Sequence, residues 1–506
     1  MTEGASVANL CRGGARRASE RNAIEWDGGE VTFEALDRRT EALARHFQET
    51  VEPGRRVGIY CENRVEWVEA YVAAHKAGIP VVPINHRYRR REVEHILGEA
   101  NLDLVVRDDT AHDDLEVQEL LAGVNTLDVG DAYERAAGRP AALIEPRETT
   151  EDVIVYTSGT TALPKGVVYT RSTQVTSVWV LQLAIGYDPS DRFLIFTPLA
   201  HRAAQPLLLC ALFQGATTYL LGQYSAAGLA TAVRDRRVTS LPGVPTALRD
   251  LLGLVREAKV EPMTGVRHVL MTGESVGDAT LREIRDLFPN ARFGAAYGST
   301  EAGLVTFLDH EHQLEHPRSC GRELQGVEVR LVGDDGLDVP VGEPGEIVVR
   351  GGKPGTYTVA AGYLAPGGGI ESFTDEDGWF QTGDVATVDH DGFYTIVDRK
   401  KDMILSGGMN IASKEVEEIV ATHPGVAEVA VTGEPDARFG ERVVAWVVRR
   451  PDATVGEEEI VSHVATRAAS YKKPSVVRFV DGLPRSPTGK VLKRALKADA
   501  SEKTGV

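Results

Sequence analysis

Cysteine is scarce in this chain of 506 residues, which contains only four. Cys11, Cys61, Cys210 and Cys320 lie far apart and form no CxxC pair. Neither the ligand spacing of a zinc site nor a disulfide framework is therefore indicated. Reduced thiols are the better interpretation, and because they are typical of cytoplasmic proteins we expect a cytoplasmic location.

Basic residues are fewer than acidic ones, and long apolar runs are missing. The 74 acidic and 56 basic residues give a net charge of −18, so the chain lacks the basic footprint of a nucleic-acid-binding protein. A phosphate-bearing ligand is not excluded, because a few local cations and backbone amides can hold a phosphate in an acidic protein. The apolar run from Val175 to Gly186 is too short to span a bilayer, and it includes Gln182. We expect no nucleic-acid partner and no transmembrane segment.

Short β-branched runs alternate with helical patterns in the first part of the chain. This alternation favours an α/β fold with doubly wound, mainly parallel sheets. In such sheets, binding sites lie in loops at the carboxyl ends of the strands. The runs interpreted as strands are Val57–Tyr60, Ile79–Val82, Leu104–Val106, Phe193–Phe196, Thr217–Leu221 and Val269–Met271, and a helix is predicted over Glu66–Lys76.

Two different patterns follow, and the length of the chain also predicts more than one domain. Residues 326–397 alternate like a small antiparallel sheet or β-barrel, with strands at 327–332, 346–350 and 393–397. The remainder predicts helices over 414–422 and 457–469 and strands over 427–432, 443–448 and 476–480. We predict a large N-terminal domain over residues 1–400, which includes the β-barrel, and a small mobile α+β C-terminal domain over residues 401–506.

A loop rich in glycine and hydroxyl groups, Tyr156 to Gly166, follows the short strand Val153–Val155. Its amides and hydroxyls can surround phosphate oxygens, and Lys165 adds positive charge. It is not a Walker A loop, because Pro164, Lys165 and Gly166 stand where that motif needs Gly, Lys and Ser or Thr. On composition alone, a glycine-rich surface turn remains an alternative.

This loop resembles the signature loop of the ANL superfamily of adenylate-forming enzymes, in its acyl- and aryl-CoA synthetase branch. Further segments resemble family motifs in the family's order, and several ordered matches are more specific than one. They are 198–201, 272–274, 294–301, 379–384, 398–402, 406–415 and 484–490. The resemblance covers nearly the whole chain. It implies an AMP-forming acid–CoA ligase that activates a fatty or aryl acid with ATP, Mg²⁺ and CoA.

The resemblance also implies roles for individual residues. The catalytic set is Lys490, Thr300, Glu301 and His201. The residues implied to bind ATP are Thr157, Ser158, Gly159, Thr160, Thr161, Lys165, Gly273, Glu274, Ala296, Tyr297, Gly298, Ser299, Asp384 and Arg399. Lys401 is implied as the hinge, Gly407 and Gly408 as neighbours of the pantetheine arm, and Arg87 as a contact of the CoA 3′-phosphate.

The chemistry of these residue types agrees with those roles. Glu301 is a hard oxygen ligand suited to Mg²⁺. The ammonium of Lys490 can neutralise both the attacking carboxylate and the transition state at the α-phosphate. Arg87 belongs to the basic run His86–Arg91, for which a solvated start of a helix is the alternative interpretation.

Four features of the sequence depart from the family pattern. Ala162 stands where the family has glycine, and the loop there loses the freedom of positive φ. Asp398 also replaces a glycine, at the hinge, and Ser413 replaces a proline at the start of a helix. The stretch Arg202–Gln205 replaces a small glycine-containing turn, so we expect it to alter substrate choice.

Three alternative functions stay open. An adenylating enzyme can pass the acyl group to a separate carrier protein, an amine or another nucleophile instead of CoA. Luciferase-like oxidation is neither supported nor forbidden. A non-catalytic nucleotide-binding protein is disfavoured, because Lys490, Glu301, Asp384 and Arg399 are all retained. A homodimer is left open as well.

Overall fold

The structure, a computed structural model, describes residues 6–108, 115–140, 143–157, 163–258, 261–272, 278–451, 453–485 and 491–497. The chain divides into two compact units. The first combines residues 1–329 with 349–380, and the second combines residues 330–348 with 381–506.

The first unit contains a nine-stranded sheet that is parallel in the centre and antiparallel at both edges. In spatial order its strands are β15 (Arg322–Glu323), β14 (Gly303–Leu308), β13 (Arg292–Ser299), β12 (His268–Thr272), β11 (Ser240–Gly243), β9 (Arg192–Ile195), β10 (Thr217–Leu220), β1 (Asn22–Trp26) and β2 (Gly29–Thr32).

An eight-stranded sheet follows the same principle, with a parallel part and an antiparallel edge. Its strands in spatial order are β19 (Ile370–Glu371), β18 (Gly362–Leu364), β8 (Lys165–Tyr169), β7 (Val153–Thr157), β4 (Val81–Pro83), β3 (Arg56–Tyr60), β5 (Leu102–Arg107) and β6 (Thr126–Asp128).

Helices connect these strands, and some of them are buried on every side. The helices of this unit are α1 (Val7–Arg17), α2 (Phe33–Thr50), α3 (Val65–Ala77), α4 (Arg90–Glu99), α5 (Leu115–Ala122), α6 (Asp131–Ala137), α7 (Arg171–Ile185), α8 (Ala204–Gln214), α9 (Ala226–Asp235), α10 (Pro245–Ala258) and α11 (Asp278–Leu287). Helices α3 and α8 are apolar around most of their circumference, as buried helices are. They share one hydrophobic core with strands of both sheets, including β3 and β9.

Two smaller sheets have most of their residues in the second unit. The first orders β16 (Glu328–Val332), β17 (Gly345–Arg350), β20 (Phe380–Val388) and β21 (Tyr394–Arg399). The second orders β23 (Met409–Ile411), β22 (Ile404–Ser406), β25 (Gly440–Arg449) and β24 (Val426–Asp436), and β26 (Val476–Phe479) also pairs with β25. Helices α12 (Ser413–Ala421) and α13 (Glu457–Ala465) belong to the same unit as the second sheet.

The predicted fold class, with its doubly wound parallel sheets, is confirmed, and some boundaries need correction. The strand expected from Ile79 begins at Val81, where pairing with Val57 starts, because Pro80 has no N–H to donate. The helix expected to reach residue 469 ends at Ala465. There the Thr466 hydroxyl bonds to the carbonyls of Ser462 and His463, a local bond that competes with the helix.

The region predicted as a sheet or barrel pairs in the open order β16–β17–β20–β21, so the described residues show a sheet. No helix in the described part of the chain is long and apolar enough to cross a membrane.

Candidate active site

The predicted nucleotide and acid residues of the first unit follow the carboxyl ends of strands in both large sheets. Thr157 ends β7, the segment 198–201 follows β9, and Ala296 to Ser299 end β13. These are the positions where doubly wound sheets bind ligands. Several predicted residues lie outside the described residues, namely Ser158, Gly159, Thr160, Thr161, Gly273, Glu274 and Lys490, as does Ala162.

Thr300 and Glu301 occupy the tight turn between β13 and β14. Within it, the Ala302 amide donates to Ser299 Oγ at 3.0 Å, and the Glu301 carbonyl accepts from the Ala360 amide at 2.9 Å. Gly303 adopts φ +67°, and a Cβ there would lie 2.4 Å from the Thr358 carbonyl oxygen. Only glycine fits that position without displacing backbone, so the turn is held rigidly.

Tyr169 connects this turn to β8, the strand that follows the predicted phosphate loop. Its ring is fully buried at the end of β8, and its hydroxyl donates to the Thr300 carbonyl. Burial raises the pKa of Tyr169 to about 12, so the phenol stays protonated and able to donate at neutral pH.

Tyr363 makes a second connection between the two segments. Lys165 Nζ lies 4.8 Å from the centre of the Tyr363 ring, and the Tyr363 hydroxyl donates to Glu301 Oε1 at 3.0 Å. Pairing of Tyr363 with Val167 in the sheet places the ring beside Lys165. Burial, with a smaller contribution from the Glu301 carboxylate, raises the pKa of Tyr363, so its hydroxyl remains a donor.

Two asparagines hold the segment that carries His201. Asn63 Oδ1 accepts from the Leu199 amide at 2.8 Å, and its Nδ2 donates to the Thr197 carbonyl at 3.0 Å. Asn85 Nδ2 lies 3.3 Å from His201 Nε2. Both asparagines follow parallel strands of the eight-stranded sheet, β3 and β4, so this edge orients a loop of the nine-stranded sheet.

In the second unit, the two residues predicted to bind ribose face each other across β20 and β21. Asp384 pairs in register with Arg399, and Arg399 Nε lies 3.3 Å from Asp384 Oδ1. Gly383, with φ +73°, directs its amide to Glu346 Oε1 at 3.2 Å. An acceptor carboxylate beside a guanidinium is suited to a ribose that carries a phosphate.

Two of the departures from the family pattern contact each other. Asp398 is buried, and its Oδ2 accepts from Ser413 Oγ at 2.6 Å and from the Lys414 amide at 3.3 Å. The carboxylate therefore satisfies an amide at the start of α12. Lys493 Nζ donates to the same serine at 2.6 Å and pairs with Glu417 at 2.7 Å. The predicted hinge region and the start of α12 are thus joined by a polar network.

Gly407 and Gly408 form the two-residue turn of the β22–β23 hairpin. Their φ angles are +59° and +79°, which is the pattern that requires glycine in such turns. Lys401 lies in a short 3₁₀ helix after β21. Its side chain is exposed to solvent over much of its surface, but neighbouring groups desolvate the ammonium and lower its pKa.

Arg87 is exposed just before α4, in the loop that follows β4. The Arg87 amide donates to Asn85 Oδ1 at 3.0 Å, so the same asparagine contacts both predicted segments. Arg89 and Arg90 are also exposed there, which agrees with either interpretation of the basic run.

Magnesium fits the donor chemistry at Glu301. No cluster of three or more His, Cys, Asp or Glu side chains suited to a metal occurs among the residues that the structure describes. Mg²⁺ in nucleotide enzymes usually takes one or two carboxylates and completes its shell with water and substrate phosphates, so it needs no such cluster.

Tyr169, Tyr363, Asn63 and Asn85 were not predicted from the sequence. Tyr169 had a usable signal, because it lies four residues after Lys165 on the same strand and hence on the same face. The other three depend on contacts between distant segments, which no local pattern reveals.

Comparison with known proteins decides the family. The model of the AMP-binding enzyme family matches residues 11–364, and that of the AMP-binding enzyme C-terminal domain matches residues 415–490. The chain belongs to the AMP-binding enzyme family.

Relatives of this AMP-binding enzyme extend over nearly all of both chains. Feruloyl-CoA synthase from an Amycolatopsis species is 35% identical, with 95% of this chain and 96% of the relative covered. The o-succinylbenzoate CoA synthetase from Bacillus subtilis, solved with its acyl-adenylate intermediate, is 29% identical with a TM-score of 0.83, covering 97% and 98%. The same synthetase solved with ATP and magnesium is 28% identical with a TM-score of 0.84, covering 97% and 99%.

The predicted activity is therefore confirmed. The chain is an AMP-forming acid–CoA ligase that adenylates a carboxylic acid with ATP and then forms the thioester with CoA. ATP, Mg²⁺ and CoA are its implied co-substrates and cofactor.

Proposed function

We propose that this enzyme binds the ATP phosphates between the loop 157–165 and the Thr300–Glu301 turn, and that Lys490 catalyses the first half-reaction. The observation that supports this is the double connection between the two segments. Tyr169 joins β8 to Thr300, and Tyr363 contacts both Lys165 and Glu301. A lysine and a carboxylate are thereby fixed on one aromatic ring.

In the first half-reaction, a carboxylate oxygen of the acid attacks the α-phosphorus of ATP, and pyrophosphate leaves. Lys490 neutralises the incoming carboxylate and the charge that develops on the phosphoryl oxygens. Thr300 donates to a phosphate oxygen or to the activated carboxylate. Glu301 would hold Mg²⁺, which supplies charge neutralisation on the phosphates. Asp384 and Arg399 bind the ribose.

In the second half-reaction, the thiolate of CoA attacks the acyl carbon of the adenylate, and AMP leaves. The proposed switch is a rotation of the C-terminal domain about Lys401, a hinge motion that replaces Lys490 by the Gly407–Gly408 turn. Glycines suit this position because they leave room for the pantetheine arm beside the backbone. Arg87 contacts the 3′-phosphate of CoA.

For the acid, we favour one that bears a ring over a straight-chain fatty acid. The support is the names of the two compared relatives, a feruloyl-CoA synthase and an o-succinylbenzoate CoA synthetase, which describe ring-bearing acids. A carrier protein as alternative acceptor, a homodimer and a cytoplasmic location stay predictions.

Separate assays of the two half-reactions test the role of Lys490. Lys490→Ala should lose pyrophosphate release by about 100-fold or more, as removal of one such charge does, and should still convert supplied acyl-adenylate to thioester. Equal loss of both steps in folded protein would show that Lys490 has no special part in adenylation. A matched control is Lys353→Ala, which changes an exposed lysine outside the proposed site.

A further inference from the structure

Arg202 has a partly buried side chain, and two of the three nitrogens of its guanidinium are buried. It lies just before α8, and Cζ stands 4.4 Å from the centre of the Tyr169 ring. Nη2 donates to Ser177 Oγ at 2.6 Å, whereas Nε and Nη1 are buried and have no hydrogen-bond partner among the residues that the structure describes.

The described groups that Arg202 contacts are neutral. Tyr169, Ser177 and nearby Tyr71 carry no charge at neutral pH, since burial raises the pKa of both tyrosines. Across the described ranges, no carboxylate forms an ion pair with Arg202. Arginine stays charged in proteins. A partly buried charge without a counter-ion is unfavourable, so this position favours the binding of an anion.

The guanidinium can still bind a carboxylate through two parallel hydrogen bonds. A guanidinium offers two pairs of parallel N–H donors, or forks: Nε with Nη2, and Nη1 with Nη2. Ser177 accepts from only one of the two Nη2 hydrogens. One complete fork therefore remains, formed by the second Nη2 hydrogen with either Nη1 or Nε. Ser177 does not depend on Arg202, because its own hydroxyl donates to the Thr173 carbonyl at 2.7 Å.

Arg202 also lies near the turn that we propose as the place of adenylation. Its neighbour His201 borders the predicted acyl site, and the Tyr169 ring contacts both segments: its face lies against the guanidinium, and its hydroxyl donates to the Thr300 carbonyl. The reacting carboxylate must meet ATP near Thr300. A group on Arg202 therefore lies about one aromatic ring away from the reacting atoms, at the remote end of the acid.

We propose that Arg202 binds a second carboxylate at the remote end of the acid, so that the substrate is a dicarboxylic acid. This rests on the proposed function, because it takes the Thr300 turn as the place of adenylation. The stretch expected to alter substrate choice thereby has a definite role: it selects for negative charge on the far side of the substrate.

The test compares matched acids in a pyrophosphate-release assay. The acids are straight-chain diacids of increasing length and terephthalate, each with its monomethyl ester and with the monoacid that lacks the second carboxylate. Wild-type enzyme should prefer a diacid over its partners by at least about tenfold in kcat/KM, since the unpaired guanidinium rejects acids without that group. Arg202→Met should lose this preference, and Arg202→Lys should restore part of it.

Thermal unfolding supplies a readout that does not depend on activity. Arg202→Met should keep or raise the Tm, because it removes an uncompensated buried charge. The favoured diacid should raise the Tm of wild type and not that of the variant. Arg236→Met is the matched control, because Arg236 also lies over a tyrosine, 5.3 Å from the Tyr219 ring, yet is exposed and paired with Asp27.

The outcomes separate this proposal from the one on which it rests. Pyrophosphate release with monoacids alone would overturn the dicarboxylate proposal and leave adenylation standing. Failure with every acid would count against both. Equal loss of diacid and monoacid turnover in Arg202→Met would show that Arg202 holds the reacting carboxylate or the fold, which also overturns the proposal.

Discussion

Removal of the Tyr363 hydroxyl tests the arrangement around Glu301. Tyr363→Phe keeps the ring beside Lys165 and deletes only the 3.0 Å bond to Glu301 Oε1. A hydrogen bond to a charged group contributes about 1.5–3 kcal/mol. Because both side chains are only partly buried, water replaces part of it, and we expect a loss of about 1–2 kcal/mol. That corresponds to roughly 5- to 30-fold in kcat/KM.

The assay is pyrophosphate release at several concentrations of Mg²⁺ and at saturating acid. If Tyr363 orients the carboxylate that would hold Mg²⁺, the variant should need more Mg²⁺ for half-maximal rate. Tyr357→Phe is the matched control, since its hydroxyl donates to the Gln325 carbonyl away from Glu301. An unchanged Mg²⁺ dependence, or equal effects in both variants, would refute this role for Tyr363.

Three further predictions concern the turn, the hinge and pH. Gly303→Ala should lower the free energy of unfolding by about 2 kcal/mol or more, measured by urea, because its Cβ meets the Thr358 carbonyl at a positive φ. Asp398→Gly should destabilise by about 1 kcal/mol through loss of its bonds at the start of α12, and the effect should be smaller when Ser413 is already Pro. Burial lowers the pKa of His268, so the unfolded state binds its proton more readily, and wild type should lose stability below about pH 6.5 more steeply than His268→Gln.

Each of these has a distinguishing control. Gly336→Ala also changes a positive-φ glycine, but its Cβ would meet open space, so only the conformational penalty remains. Additive effects of the Asp398 and Ser413 changes would contradict their coupling. Parallel Tm–pH curves for wild type and His268→Gln would contradict the pH prediction.

Much of the fold followed from local patterns. Alternating short apolar runs and amphipathic stretches predicted the parallel sheets, because burial of both faces demands β-branched strands with connecting helices. Boundaries failed where a single residue acted locally, as at Pro80 and Thr466. The local pattern also did not decide between an open sheet and a closed barrel for β16, β17, β20 and β21. Closure into a barrel depends on which strands pair, and the composition of the strands does not show that.

The motif order in the sequence by itself indicated the family, the adenylation step and the residue types predicted for the site, whereas the acceptor stayed open. Loops such as 156–166 must carry flexible, hydroxyl-bearing residues to bind phosphate, and that requirement is visible in a linear string. Only the tertiary structure decided that Tyr169 and Tyr363 connect β8 to the Thr300–Glu301 turn, that Asp398 bonds to Ser413, and that Arg202 keeps donors without a partner among the described residues. These depend on contacts between residues far apart in the chain, where the packing of both sheets decides which polar groups meet a partner.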